Sequence, residues 1–167
     1  FDRDSSTPVI GNAVERIKQP DEIPSPFLTG TLDEFFEYKL IPIMETNRGC
    51  PYTCTFCAQG MASHNQVNFF SLERIKAEFR YIAERAKHTN LIWFADANFG
   101  IHPRDIEFAK YIREVKEELG YPHRCCMSWA KNQKKIIDIA KVLKQDSYMV
   151  VSLQSLDPEV LKNVKRA

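Results

Sequence analysis

Short apolar runs alternate with helical patterns along most of the chain, and this alternation is the feature that most limits its fold. Four runs have the composition of buried strands, at residues 40–46, 91–95, 124–129 and 148–153. A helical pattern follows each of them, and the last one begins around Asp157. Apolar strands that are separated by helices pair in parallel, with the helices covering the sheet. The sequence therefore predicts an α/β fold of parallel strands with about four βα units.

The helical pattern is clearest between the first two predicted strands. Its apolar residues recur every three or four positions, at Leu72, Ile75, Phe79, Ile82 and Ala86. Ser71 precedes this stripe and is a residue type that caps helix N-termini. The next helical pattern ends at Gly120, a residue type that commonly follows a helix.

Residues 1–38 differ in character from the rest of the chain. Pro20, Pro24 and Pro26 lie close together there and favour extended backbone without a hydrogen-bonded ladder. We expect residues 1–38 to form an N-terminal linker or extension that lies over a domain at 39–167.

The predicted strands end in polar residues, namely Glu45, Thr46, Asn47, Asp96, Asn98, Ser128, Gln154 and Ser155. In parallel βα folds the carboxyl ends of the strands form the edge that carries the chemistry. Polar residues end many strands and mean little individually. Here a cysteine-containing loop leaves the first strand at the same edge, and this coincidence indicates a functional site.

Composition excludes several other functions. The net charge of +1 gives no general attraction to nucleic acid or to a membrane surface. No apolar run reaches the roughly 18 residues that a membrane span needs, and the first residues have no signal-peptide pattern. Five cysteines, three of them clustered, are a poor disulfide framework. We therefore expect a cytoplasmic protein with reduced thiols and with neither nucleic acid nor membrane as a partner.

The stretch "ETNRGCPYTCTFCAQG" places Cys50, Cys54 and Cys57 in a C-x3-C-x2-C motif. Structural zinc takes four protein ligands, whereas catalytic zinc takes three and one water. A [4Fe–4S] cluster usually takes four cysteines, so three would leave one iron open to a small-molecule ligand. The residues thus leave open a cluster with an open iron, an electron-transfer cluster, or a Cys3His zinc site with His64.

The motif resembles that of the radical S-adenosylmethionine (radical SAM) superfamily, because Phe56 precedes the last cysteine and the loop follows the first strand of a βα domain. The resemblance covers about residues 39–167. The segments "IPSPFLTGTLDEFF" and "IPIMETNRGCPYTCTFC" further resemble the sequences of the group in which a cobalamin-binding domain precedes the radical SAM core. The resemblance to the radical SAM superfamily implies a partial (β/α) TIM-like barrel, of which this chain would be a fragment.

The resemblance also implies roles for individual residues in the cysteine loop. Cys50, Cys54 and Cys57 would each bind one iron of a [4Fe–4S] cluster. The fourth iron would chelate the amino and carboxylate groups of S-adenosylmethionine (SAM), and Phe56 would lie beside its adenine.

Further SAM contacts are implied at the other strand ends. Many family members have a Gly-Gly-Glu-like motif at the end of the second strand, which meets the SAM amino group. This chain has "ADANFG" there, so Asp96 or Asn98 would supply the contact. Ser128 and Gln154 would contact the SAM ribose or carboxylate.

The implied reaction is reductive cleavage of SAM to methionine and a 5′-deoxyadenosyl radical, which abstracts hydrogen from an unactivated substrate carbon. The cobalamin group implies methylation or rearrangement, with cobalamin bound by a domain outside this chain. A reductant such as flavodoxin or ferredoxin would supply the electron. The sequence identifies neither the substrate, a small molecule or a peptide, nor any catalytic residue beyond the cofactor ligands.

A complete parallel barrel needs about 200 or more residues and eight strands. The chain ends in a helical pattern after its fourth predicted strand, so we expect a piece of a larger enzyme. Most substrate-binding residues would then lie in the remaining parts.

Other reactive residue types have simpler interpretations. Cys125 and Cys126 are adjacent in a predicted strand, so they point to opposite faces and cannot both bind one cluster. We expect both to be buried, unreactive thiols. Lys131, Lys134 and Lys135 are most simply the solvated start of a helix.

Overall fold

The computed structural model describes residues 4–11, 17–61, 65–131, 134–144 and 152–166. Within these residues, short 3-10 turns occur at Pro20–Glu22, Asp33–Glu37 and Ala58–Gly60. The strands and helices follow in the order β1 (Ile43–Met44), β2 (Asn47–Arg48), β3 (Asn68–Phe69), α1 (Leu72–Arg85), β4 (Leu91–Phe99), α2 (Asp105–Leu119), β5 (Arg124–Trp129), α3 (Lys135–Leu143) and α4 (Pro158–Asn163).

The main sheet has the strand order β1-β4-β5, and both neighbouring pairs are parallel. Ile43 lies beside Trp93, and Trp93 lies beside Cys126. This arrangement confirms the predicted α/β fold with parallel strands. The predicted strand at 148–153 lies mostly outside the described residues, and Ser152 and Leu153, which are described, are not in a strand.

A second, antiparallel pair forms between β2 and β3, with Asn47 beside Phe69. The sequence analysis did not predict it, because each strand has only two residues and lacks a periodic pattern. The pair fastens the beginning of the cysteine loop to the segment that precedes α1.

The core forms where β4 packs against α1 and α2. The Phe94 ring of β4 lies 6.4 Å from the Phe79 ring of α1 and 5.8 Å from the Phe108 ring of α2, measured between centroids. All three side chains are almost completely buried. Burying a side chain of this size contributes about 1.5–3 kcal/mol, so this cluster firmly positions the strand that leads to the site.

The helix ends follow the sequence signals. Ser71 Oγ accepts a hydrogen bond from the Arg74 N–H, which confirms the predicted N-cap of α1. Gly120 follows α2 with a φ of 74°, a left-handed conformation that glycine adopts without a steric penalty. Asp157 caps α4 by accepting from the N–H groups of Glu159 and Val160.

The N-terminal segment contributes side chains to the core, and its role as a linker or extension stays a prediction. Phe27 is buried in the core, and Leu32 and Phe36 pack against that core. The Asp21 carboxylate accepts a hydrogen bond from the Ser71 N–H at the start of α1. The boundary at residue 38 stays a prediction. Within the described residues, no helix is both long and apolar enough to cross a membrane.

Replacing Phe94 with Ala should lower the free energy of unfolding by about 3–5 kcal/mol, because it leaves a cavity between β4, α1 and α2. Lys110→Ala, at an exposed position of α2, should change that free energy by no more than about 0.5 kcal/mol. Urea denaturation of both variants measures the difference. Equal effects would contradict the central place of Phe94 in the core.

Candidate iron–sulfur and SAM site

The cysteine loop follows β2 and folds into successive tight turns. The Cys57 N–H donates to the Cys54 carbonyl at 3.2 Å, and the Gly60 N–H donates to the Cys57 carbonyl at 2.9 Å. Cys50 and Cys54 are buried, whereas Cys57 is exposed. Gly49 has a φ of 110°, so the residue before Cys50 must be glycine for the chain to turn without strain.

Gly60 lies directly against the backbone of Cys54. A Cβ atom at position 60 would come within 2.4 Å of the Cys54 carbonyl oxygen and 3.0 Å of its nitrogen. Backbone atoms cannot move aside as a flexible side chain can. The turn therefore needs glycine at position 60, which the sequence analysis did not single out.

Asp96 anchors the chain at the base of the cysteine loop. Its carboxylate accepts hydrogen bonds from the Thr46 N–H at 2.7 Å, the Thr46 hydroxyl at 2.5 Å and the Asn47 N–H at 3.2 Å. Burial raises the pKa of Asp96 to about 6, while these three donors act in the opposite direction. In the structure both carboxylate oxygens of Asp96 are hydrogen-bonded to Thr46 or Asn47. A direct contact of Asp96 with SAM stays a prediction.

Arg104, just before α2, contacts the same region through two backbone carbonyls. Its guanidinium donates to the Thr46 carbonyl at 2.7 Å and to the Phe70 carbonyl. Burial lowers the pKa of Arg104, and the nearby Asp105 and Asp96 oppose that change. Thr46 is thus bonded through its N–H, its hydroxyl and its carbonyl, so the start of the loop has a defined position.

Asn98 connects β4 to the first cysteine. Its Nδ2 lies 3.1 Å from Cys50 Sγ, and the side chain is 2% exposed. Its Oδ1 accepts no hydrogen bond from any residue in the described part of the chain. A buried amide oxygen without a donor is costly, and this one is two residues beyond Asp96 at the carboxyl end of β4.

Two basic residues lie near the thiols of the loop. Arg166 Nη1 is 4.0 Å from Cys54 Sγ, and Arg166 Nη2 donates to the Ser152 carbonyl at 2.7 Å. The Thr55 N–H also donates to the Val164 carbonyl, which ties the region after α4 to the loop. The sequence analysis did not consider Arg166, because 112 positions separate it from Cys54.

Lys131 is the second basic residue, and its interpretation as part of a solvated helix start is wrong. It is partly buried, and burial and the charge of Arg166 lower its pKa, whereas Cys54, Cys50 and Cys57 act to raise it. The side chain therefore lies within electrostatic reach of all three thiols. Its position just beyond the carboxyl end of β5 was the sequence signal that could have identified it.

The remaining predicted SAM contacts are exposed. Phe56 is 52% exposed in the cysteine loop. Ser128 is exposed near the end of β5, and Gln154 is exposed with a φ of 73°. The assignment of these residues to SAM contacts stays a prediction.

The residues present fit an anionic iron–sulfur cluster. One loop carries three thiols, an amide N–H faces one of them, and two cationic side chains lie nearby. Among the described residues, no three His, Cys, Asp or Glu side chains are arranged to hold a single metal ion. A cubane does not require such convergence, because each thiolate binds a different iron. His64, the fourth ligand of the zinc alternative, lies outside the described residues.

Comparison with known proteins identifies the class. Residues 44–167 match the family model described as the Radical SAM superfamily. This match covers most of the chain, and the chain therefore belongs to the radical SAM superfamily. Membership implies a [4Fe–4S] cluster and SAM as cofactors, and an external reductant, as the resemblance predicted.

Two curated relatives are similar over nearly the whole chain. Cobalamin-dependent radical SAM methyltransferase TokK of Streptomyces tokunonensis is 33% identical over 168 residues, which cover 95% of this chain and 24% of TokK. The 2-(S-pantetheinyl)-carbapenam-3-carboxylate methyltransferase of Streptantibioticus cattleyicolor is 32% identical over 174 residues, covering 98% of this chain and 25% of that protein. The chain thus spans about a quarter of the length of these relatives.

A solved structure confirms the fold. The cobalamin-dependent S-adenosylmethionine radical enzyme OxsB, with aqua-cobalamin and S-adenosylmethionine bound, superposes with a TM-score of 0.66 at 19% sequence identity. The match covers 93% of this chain and 24% of OxsB. At this identity the likeness establishes the fold alone.

Gly60→Ala should destabilise the cysteine loop by about 1–3 kcal/mol, because the added methyl group overlaps the Cys54 backbone. The iron content after anaerobic reconstitution should fall with it. Gly11→Ala is a matched control, since a Cβ there meets no atom within 4 Å. Equal iron content in both variants would contradict the close approach.

Asp96→Asn should remove a pH-dependent part of the stability. The folded state raises the pKa of Asp96 from its ordinary 3.8 to about 6, so the folded protein binds this proton more tightly. The resulting stabilisation is complete below about pH 4 and is lost as the pH rises through about 6. From pH 4 to pH 7 the wild type should lose about 2 kcal/mol relative to the variant.

Urea denaturation of both proteins across this pH range measures that difference, because contributions of the other titrating groups cancel. Parallel stability curves would show that Asp96 has an ordinary pKa in the folded protein.

Proposed function

We propose that the protein is part of a cobalamin-dependent radical SAM methyltransferase and that this chain holds its cluster. Cys50, Cys54 and Cys57 bind three irons of a [4Fe–4S] cluster, and SAM binds the fourth. The observation that carries the proposal is the cysteine loop itself, which starts at the carboxyl edge of the parallel sheet in a member of this family. The reduced cluster supplies the electron for reductive cleavage of SAM.

The chain's own residues position and balance that group. Asp96 and Arg104 hold Thr46, and thereby fix where the loop begins. Lys131 and Arg166 bring positive charge to the thiolates, and a nearby positive charge favours the charged form of an acidic group. A cluster that gains an electron becomes more negative, so these cations support its reduced state.

The names of the relatives support a proposal of methylation with cobalamin. Both relatives are named methyltransferases, and TokK is named as cobalamin-dependent. We propose a small-molecule substrate that is methylated at an unactivated carbon, with cobalamin bound by a domain outside this chain. Residues 1–38 would connect that domain to the radical SAM core at 39–167.

Delivery of the electron is assigned to a flavodoxin or ferredoxin. Because none of the five cysteines forms a disulfide in the structure, a reducing cytoplasmic location suits the protein.

Anaerobic reconstitution of the full-length enzyme tests the proposal. The protein should become brown, bind about four irons and four sulfides, and release 5′-deoxyadenosine from SAM under reductant. Cys54→Ala should abolish that release, because the loop loses a ligand. Cys126→Ala should retain it, since Cys126 lies in β5 beside Trp93, outside the cysteine loop.

The competing assignment is a non-catalytic metal-binding module, zinc or iron–sulfur, for structure or electron transfer. A colourless protein with stoichiometric zinc would support the zinc form. A brown protein that never cleaves SAM would support the electron-transfer form. Either outcome contradicts the proposed function.

A further inference from the structure

We propose that an acidic electron-transfer protein docks beside the cysteine loop on a surface formed by Lys162, Lys165 and Arg166. These three residues lie in α4 or in the turn after it, and together they are the α4 basic surface. The inference rests on the proposed function and adds the place at which the reductant binds. One electron passes from the reduced carrier, which is oxidised, to the cluster, which is reduced, and no proton or group moves with it.

The first observation is the distribution of charge along the chain. Residues 121–167 contain nine Lys and Arg against four Asp and Glu, whereas the whole chain has a net charge of only +1. Residues 47–70, which include the cysteine loop, contain no Asp or Glu. The loop and the region after β5 therefore attract a negatively charged protein, although the chain as a whole has no such preference.

The second observation is that the lysines of this surface lack internal partners. Between α1 and α2, the Arg80 guanidinium is paired with the Glu118 carboxylate. Lys162 and Lys165 are exposed, and neither has an ion-pair partner within the part of the chain that the structure describes. Their ammonium groups are therefore available to the carboxylates of another protein.

The acidic residues of α4 lie at its N-terminal end. The Asp157 carboxylate accepts hydrogen bonds from the N–H groups of Glu159 and Val160, and Glu159 is in the first turn. A helix of six residues is about 9 Å long, since each residue adds about 1.5 Å. Positive charge therefore predominates at the C-terminal end of α4.

The third observation is the direct connection between this end of α4 and the thiols. The Val164 carbonyl accepts a hydrogen bond from the Thr55 N–H at 3.3 Å, and Thr55 follows Cys54 in the loop. Arg166 Nη1 lies 4.0 Å from Cys54 Sγ. A carrier that binds at Lys165 is thus one hydrogen bond away from the residue next to a cluster ligand, which is the proximity that electron transfer between proteins requires.

A surface of this size suits a transient electron-transfer complex. Such complexes bury less than about 1,200 Å² in total, so a few charged residues and some apolar contact are sufficient. Leu156 is 86% exposed and lines the same cleft as Arg166. It supplies apolar area next to the charged residues, and apolar centres with charged rims are typical of protein interfaces.

The experiment uses the full-length enzyme and flavodoxin, an acidic flavin protein, as the probe. The test variant combines Lys162→Glu with Lys165→Glu. Lys87→Glu is the matched control, because Lys87 is exposed just before β4, at the end of that strand opposite the cysteine loop. Arg166 is left unchanged, since it contacts Cys54 and its loss would alter the cluster itself.

Two quantities are measured for each protein. Isothermal titration calorimetry gives the Kd for oxidised flavodoxin at low and high salt. Stopped-flow absorbance gives the rate of cluster reduction, once by reduced flavodoxin below its Kd and once by dithionite, a small chemical reductant that needs no docking surface.

We expect the Kd for flavodoxin to rise about tenfold in the double variant, because two attractive charges become repulsive. In the wild type the Kd should rise with salt, which screens exposed charges. Reduction by flavodoxin should slow about tenfold in the double variant. Its reduction by dithionite and its iron content should equal those of the wild type, and Lys87→Glu should match the wild type throughout.

Lys162→Gln and Lys165→Gln, made singly, guard against misfolding of the double variant. Each removes one exposed charge and should raise the Kd about threefold.

Three results would overturn the proposed docking site. The first is an unchanged Kd in the double variant, which is also the result if the rest of the full-length chain covers Lys162 and Lys165. The second is an equal rise in Kd in Lys87→Glu, and the third is slower reduction of the double variant by dithionite as well. A wild-type enzyme that binds flavodoxin but holds no cluster would instead overturn the proposed function, so the two failures are distinguishable.

Discussion

The hydrogen bonds that Asp96 accepts from Thr46 and Asn47 are the interaction on which the site depends. They join the carboxyl end of β4 to the chain just before the cysteine loop. They add to the short β2–β3 pairing and to the Arg104 contact with Thr46, because β1 and β2 have only two residues each and form few ladder bonds. Burying a carboxylate is costly, and the three donors are what make this position tolerable. The cost of burying this carboxylate thus accompanies a defined starting point for the cysteine loop.

Strand β4 serves two purposes along its length. Its first half carries apolar side chains that α1 and α2 cover, and this packing makes the strand rigid. Its last residues carry Asp96 and Asn98, which are polar and equally buried. Asp96 contacts the base of the cysteine loop, and Asn98 contacts Cys50. A single strand therefore transmits the rigidity of the core to the thiols, which is what a cluster that must hold a small ligand in one orientation requires.

Hydrogen-bond donors and cationic side chains approach the cysteine loop from different parts of the fold. Asn98 faces Cys50 from the sheet, while Arg166 and Lys131 approach from the region after β5 and α4. Neutral and cationic donors both favour negatively charged sulfur, although through different distances and degrees of burial. This arrangement surrounds the thiols with hydrogen-bond donors and positive charge, which would favour an anionic group at this loop. It also assigns a function to basic residues that composition alone would place in solvent.

The sequence by itself determined the elements and the chemistry of the loop. The spacing of apolar residues predicted α1 and its cap at Ser71, and the C-x3-C-x2-C motif identified the family, because both signals are local in the chain. Tertiary structure alone decided which polar residues meet the cysteines. Asp96 and Asn98 were placed at the correct sheet edge, but their partners Thr46 and Cys50 lie 50 and 48 positions away, and Arg166 lies 112 positions from Cys54. Sequence patterns report neighbours along the chain, whereas contacts of this kind depend on how strands are ordered and how loops return to the sheet.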